Sequence, residues 1–300
     1  MRARAPASSA NLGPGFDALA VALDCYVQVE VEPAPSLRVY SEGEGAGLSD
    51  DAAHLAVRVA RAVLGHDRIA VTVRSQIPVS RGLGSSAALA AAAAAAAGAD
   101  DPFAVAAAWD GHPENAAASV FGGLVAAADV DGTPTAAHLP LSRGLAFVVI
   151  VPDRPLVTAE ARAVLPETLA RDDALFNLGR MGLLLAGLAD PALLTPEATG
   201  DRLHQNARAA LFPEAPALLE ALVASGALAS CWSGAGPSLL GIASEASAEK
   251  VGAGAQVALD DSGLSGRVLL LRADLEGLVS GDAAELPSPP PWRRSASRAV

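Results

Sequence analysis

The sequence predicts an α+β protein in two parts, and three observations lead there. Strands of period two alternate with helical patterns in the first half. A Gly/Ser loop then joins a strand to a long alanine-rich helix, and the second half runs as a strand, two helices, two strands, a helix and a last strand. That order, with helices on one face of a mainly antiparallel sheet, predicts a split βαβ-type second domain. The expected boundaries are a first domain over 1–144, a second over 145–281 and a disordered Pro/Arg tail over 282–300.

Composition bounds the function. An apolar fraction of 51% over 300 residues fills one large core or two modest ones. A net charge of −12 argues against a nucleic-acid partner, because phosphate backbones need a basic surface. Cys25 and Cys231 are too few for a disulfide framework, so a reducing, cytoplasmic setting is expected. No apolar signal core follows the first arginines. The run from Leu83 to Ala99 is mostly alanine, too weakly hydrophobic to insert, so no membrane partner is expected.

Along the chain, Val27, Val29 and Val31 alternate with Gln28, Glu30 and Glu32, which reads as a half-buried strand. Leu55, Val59 and Val63 recur at helical spacing, with Arg58 and Arg61 off that face. Ile69-Ala70-Val71-Thr72-Val73 is the next strand, and a helix from Ser86 to about Ala97 follows the loop. Its alanines give high helix propensity and little bulk, so it can lie close against a sheet. The continuous apolar run from Leu145 to Val151 reads as a buried central strand. Helices are expected over 174–188, 216–224 and 246–259, and strands over 227–231, 239–243 and 266–271. Ser, Pro and Arg dominate from Leu286 onward, which predicts disorder.

The loop Pro78-Val79-Ser80-Arg81-Gly82-Leu83-Gly84-Ser85-Ser86-Ala87-Ala88 carries the chemistry. Glycines let the backbone approach a phosphate, the first amides of the helix point at it, and the helix dipole adds positive potential. Ser85 and Ser86 add hydroxyls, and Ser86 is a candidate ligand for Mg²⁺. No lysine follows the glycines, so this is not the G-x-x-x-x-G-K-[ST] loop. Two further segments have the same character: Ala5 to Asp17, with its Asn11-Leu12-Gly13-Pro14-Gly15 core, and Ser233-Gly234-Ala235-Gly236-Pro237-Ser238.

Together these three segments resemble the motifs of the GHMP kinases, and the first resembles the opening motif of the homoserine kinase branch. The resemblance covers about Arg4 to Arg272. It implies the GHMP kinase fold, a ribosomal-protein-S5-like α/β domain followed by a ferredoxin-like α+β domain. It also implies ATP and Mg²⁺, and phosphorylation of the side-chain hydroxyl of L-homoserine in threonine biosynthesis by direct in-line transfer. A homodimer is a further expectation from the family.

A free amino acid needs cations and acids at opposite ends of its pocket. The resemblance assigns Arg162 and Arg208 to the substrate carboxylate, Asp17 and Glu114 to its ammonium, and Asn11 and Asn115 to orienting the hydroxyl. Asn11, Asp17 and Arg162 are thereby the candidate catalytic residues. By residue type alone, Asn11 and Asp17 read as turn residues, Glu114 as a helix cap and the arginines as surface groups. His112 is a neighbour of the site without an expected proton-transfer role, and no residue stands out as a base.

Three departures from the family pattern matter. Glu114 stands where an aspartate is commoner, the position expected for a magnesium-binding glutamate falls on Ala104, and Gln205-Asn206-Ala207 before Arg208 lacks the usual Pro and aromatic. Two other readings stay open at this point: another GHMP kinase acting on a mevalonate-type or sugar acceptor, and a silent relative that only binds a ligand.

Overall fold

A computed structural model describes residues 1–287 and holds two sheets. The first is built by β1 (Arg2–Ala10), β2 (Leu19–Pro33), β3 (Arg38–Gly43), β4 (Ile69–Ser75), β5 (Leu124–Val130) and β6 (Thr133–Leu139), joined late by β11 (Val279–Ser280). Its strand order is β11-β1-β2-β4-β3, with the β5–β6 hairpin added on β2. The second, β10-β7-β9-β8, is antiparallel throughout and uses β7 (Leu145–Pro152), β8 (Ala229–Trp232), β9 (Leu239–Ser244) and β10 (Gly266–Leu271).

Four helices lie on the first sheet: α1 (Leu55–Leu64), α2 (Ser85–Ala96), α3 (Pro102–Asp110) and α4 (Pro113–Phe121). α2 is the central one. Ala87, Ala88 and Ala90 through Ala94 are fully buried, and the helix packs against β1, β2, α1, α3 and α4 at once. Only a side chain as small as alanine lets five elements approach one helix this closely. Asp101 caps α3 by accepting from the Ala104 amide (3.0 Å), and Pro102 and Pro113 open α3 and α4 where a missing N–H is harmless.

The second half adds α5 (Thr158–Ala163), α6 (Arg171–Ala189), α7 (Gln205–Arg208), α8 (Ala215–Ala224) and α9 (Ala248–Asp261). α8 and α9 cover one face of the second sheet over a core of Val148, Ile150, Trp232 and Leu239. Phe147, Val149 and Val151, which alternate with that set on β7, face the first core instead. The central strand is thus buried on both sides, as its continuous apolar run predicts.

The expected tail begins too early. Ala284 is fully buried, its carbonyl accepts from Gln28 Nε2 (2.6 Å), and the Glu285 carbonyl accepts from Arg4 Nη1 (3.0 Å). Composition missed this because the anchors are Gln28 and Arg4, distant in sequence, which reach carbonyls of the segment just after β11. The rest of the predicted tail, 288–300, lies outside the described residues.

Candidate active site

The loop after β4 is held by backbone on both sides. Ser8 N on β1 donates to the Leu83 carbonyl (3.2 Å), and Ser233 Oγ donates to the Gly82 carbonyl (2.7 Å). Gly234 N donates to Ala10 O (2.8 Å), which ties the third glycine segment to the end of β1. Gly84, at φ +62°, is the N-cap of α2, and a Cβ there would collide with Ser8 Oγ. Gly82, at φ +74°, leaves a Cβ no room beside the Ser233 carbonyl. Both glycines are therefore demanded twice, by their backbone and by the crowding around it. No side chain caps α2, so the amides of its first turn are open to an anion.

These amides face a cavity of about 470 Å³ that Ser80, Ser85 and Ser86 line together with Arg162, Arg208 and Asn115. Residues 79–86 of the loop line it, whereas Pro78, Ala87 and Ala88 do not. Ala87 and Ala88 are fully buried, so their side chains pack into the core.

Neither expected acid is among the residues that line the cavity. Asp17 is held by Arg162, whose Nη1 and Nη2 donate to its two oxygens at 3.0 and 2.6 Å. Asn11 Oδ1 accepts from the Asp17 amide (2.8 Å), and both residues take positive φ, 58° and 51°, which asparagine and aspartate tolerate best. Glu114 is 1% exposed, and its Oε1 accepts from Asn115 Nδ2 (3.1 Å) while Asn115 Oδ1 accepts from Ser8 Oγ (2.8 Å). Its Oε2 is buried without a partner. Burial, followed by repulsion from Asp17 and Asp110, raises the Glu114 carboxyl to about 7 against a stabilising His112.

Arg208 is 1% exposed, yet its guanidinium reaches the cavity. It donates to the Gly234 carbonyl (2.9 Å) and the Ala161 carbonyl (3.4 Å), and burial together with the Arg162 charge lowers it to about 10. The sequence marked Arg208 as the weaker arginine because Pro and an aromatic are absent before it. The structure supplies the aromatic from elsewhere: Phe16 lies under both guanidiniums, 5.3 Å from Arg208 and 5.4 Å from Arg162.

Two residues gain a role in the site only from the structure. His204 Nε2–H donates to the Gly13 carbonyl (2.8 Å), which leaves Nδ1 to accept from Arg208 Nη1 (3.0 Å). Burial lowers this imidazole to about 4, so it stays neutral and joins the Gly13-Pro14-Gly15 turn to Arg208. Asp110 is the second. Its Oδ1 accepts from Ser86 Oγ and its Oδ2 meets His112 Nδ1 at 3.2 Å.

Asp110 brings to the loop an acid that Ala104 does not supply. The two share α3, but Ala104 sits in its first turn and Asp110 at its last residue, about 9 Å further along the axis. The Gly111 cap then turns the chain into the His112-Pro113 island, so the acid belongs to the site by its place before that turn. Ser86 hydroxyl and Asp110 carboxylate form a hard oxygen pair, a donor set that fits a magnesium ion completed by phosphate and water.

A glycine loop opening on a helix end, with a polar pocket across one cavity, defines a kinase of the GHMP class. Two family profiles agree: GHMP kinases N terminal domain over 51–123 and GHMP kinases C terminal over 175–256. A homoserine kinase of Thermus thermophilus is 42% identical over 250 residues, 79% of this chain and 85% of the relative. That of Desulfitobacterium hafniense is 35% identical over 292 residues, 92% and 98% of the two chains. The crystal structure of homoserine kinase from Cytophaga hutchinsonii superposes with a TM-score of 0.82 at 26% identity, over 93% of this chain and 96% of that one. The chain belongs to the homoserine kinase family of the GHMP kinases.

Among the described residues no helix is long and apolar enough to cross a membrane.

Proposed function

We propose that the protein transfers the γ-phosphate of ATP to the side-chain hydroxyl of L-homoserine, giving O-phospho-L-homoserine on the route to threonine. One observation carries the reading. One cavity is lined by the open end of α2, by Arg162 and Arg208 and by Asn11 and Asn115, with Asp17 bonded to Arg162 and Glu114 to Asn115.

The amides of the Gly82–Ser86 turn bind the phosphates, and the dipole of α2 offsets charge that develops on the β- and γ-oxygens. Ser86 and Asp110 would hold Mg²⁺, which supplies further charge neutralisation when bound. Arg162 and Arg208 grip the substrate carboxylate, while Asp17 and Glu114 hold its ammonium. Asn115 lies between the Ser8 hydroxyl and Glu114, so its amide is fixed where the acceptor hydroxyl must be aimed. Positioning and electrostatics dominate phosphoryl transfer, so the hydroxyl proton can leave late without a dedicated base.

The acidic pair separates this reading from a mevalonate-type kinase, whose acceptor has a carboxylate but no ammonium. ADP release measured with homoserine, mevalonate and galactose as acceptors tests it. Turnover with homoserine alone is expected, and turnover only with one of the others, or with none, refutes it. The same reading carries a homodimer, which light scattering on the purified protein measures.

A further inference from the structure

The pocket's opposite charges are engaged with each other. Arg162 and Asp17 form a fork-to-fork pair at 3.0 and 2.6 Å that uses both terminal nitrogens and both carboxylate oxygens. These are the groups that the proposed function gives to opposite ends of an amino-acid zwitterion. Their side chains are 37% and 39% exposed, so water or a ligand can reach the pair, and Arg162 is the member that lines the cavity.

We propose that the Arg162–Asp17 pair is a charge latch that makes the site selective for zwitterions. A ligand with both a carboxylate and an ammonium opens the latch by exchanging one ion pair for two. A ligand with a carboxylate alone must take Arg162 and leave Asp17 without its cation, and one with an ammonium alone does the reverse. The inference rests on the homoserine reading and adds the reason that a simple hydroxy acid is refused.

The surroundings fit this role. Asp17 is fixed on the Asn11 turn by its own amide, so it stays in place when Arg162 leaves. Arg162 lies on the last turn of α5 with its guanidinium over Phe16, a contact that survives a small swing. Arg208, 5.3 Å from the same ring, forms no ion pair among the described residues and donates only to carbonyls and His204. Its charge is therefore available to the incoming carboxylate as Arg162 turns to meet it. Opening a salt bridge deep in the core would strand two desolvated charges. This one is half exposed, so opening it costs little enough to be part of binding.

The test compares wild type and Asp17→Asn with three acceptors: L-homoserine, 4-hydroxybutyrate, which lacks the ammonium, and 3-aminopropan-1-ol, which lacks the carboxylate. Asparagine tolerates the positive φ of this position, and a thermal melt checks that the variant folds. In the wild type both truncated acceptors are expected to be poor. In Asp17→Asn, kcat/KM should fall for homoserine and rise about fivefold for 4-hydroxybutyrate, which corresponds to about 1 kcal/mol for a half-exposed pair.

Mere damage to the site would lower both values, so an unchanged or lower value for 4-hydroxybutyrate overturns the latch. Should Asp17→Asn fail to fold, Arg162→Lys serves. It keeps the charge but loses the fork, and should likewise narrow the preference for homoserine over 4-hydroxybutyrate; an unchanged ratio overturns the proposal. A wild type that ignores homoserine but phosphorylates another acceptor refutes the homoserine reading itself, and the latch with it. Normal homoserine turnover with unaltered ratios refutes the latch alone.

Discussion

Replacing Glu114 with glutamine should make the protein more stable above pH 7 and worse at binding its substrate. Glu114 is 1% exposed, its Oε1 accepts from Asn115 Nδ2, and its Oε2 has no partner. Moving a carboxyl from 4.5 to about 7 corresponds to about 3 kcal/mol of preference for the protonated form. The sign follows from proton counts. Between these two values the folded state holds a proton that the unfolded state has released, so stability falls as pH rises through that window.

Glutamine retains the Oε1 acceptor and carries no charge. Glu114→Gln should therefore gain up to about 3 kcal/mol over wild type at pH 8 and nothing at pH 4, where both side chains are neutral. Urea unfolding at several pH values measures this. The KM for homoserine should rise in the same variant, because the ammonium loses one of its two carboxylates. A stability difference that does not vary between pH 4 and pH 8 would refute the argument, since it would show that the wild-type carboxyl is not held protonated by its surroundings.

Gly84→Ala should fold poorly and lose nucleotide binding: its Cβ would collide with Ser8 Oγ at a φ of +62°, a strain of about 1–3 kcal/mol before the Ser8–Asn115 bond is counted. Calorimetry with ATP and a thermal melt report the two effects. Asp110→Asn should raise the Mg²⁺ concentration needed for half-maximal rate by about tenfold or more, and should weaken Mg²⁺-dependent nucleotide binding measured without acceptor. Arg208→Met should raise the KM for homoserine and lower the melting temperature, since the Gly234 carbonyl and His204 Nδ1 lose their buried donor, a cost of about 1–3 kcal/mol for each acceptor left unpaired.

Much of the fold is legible because valine and leucine mark faces. The alternation from Val27 to Glu32 and the run from Leu145 to Val151 name their strands directly, and the strand over 266–271 is found with the expected bounds. Where alanine replaces them the pattern fades. The β5–β6 hairpin reads Leu-Val-Ala-Ala-Ala-Asp-Val and Thr-Pro-Thr-Ala-Ala-His-Leu, and alanine suits either face or a helix. Its turn did carry a signal in Asp131-Gly132, both at positive φ, the pair that a tight hairpin requires. β1 was read as a motif instead of a strand, because Ser8 and Ser9 are polar yet fully buried, held by Asn115 and Ser233.

The site divides along a similar line. Gly82 and Gly84 are visible in sequence because a backbone demand appears as a residue type. Asp110 and His204 are not, since their meaning lies in what tertiary structure brings to them. Asp110 is 24 residues from the serine it holds, and His204 is 191 residues from the carbonyl it reaches.

Nearly every polar group around the pocket is satisfied before any ligand arrives. Arg162 has Asp17, Arg208 has carbonyls and His204, Asn115 has Ser8 and Glu114, and Ser86 has Asp110. A protein with a net charge of −12 that must hold a polyanion near its own carboxyls gains from this arrangement, because the charges neutralise one another until an exchange is offered. One exception is Glu114 Oε2, buried and without a partner among the described residues. An unpaired oxygen there destabilises the free protein, and the group that would satisfy it and favour its ionised form is a cation at the ammonium position. The atom that weakens the empty fold is thus the one that should bind an amino acid more tightly as the pH rises through 7.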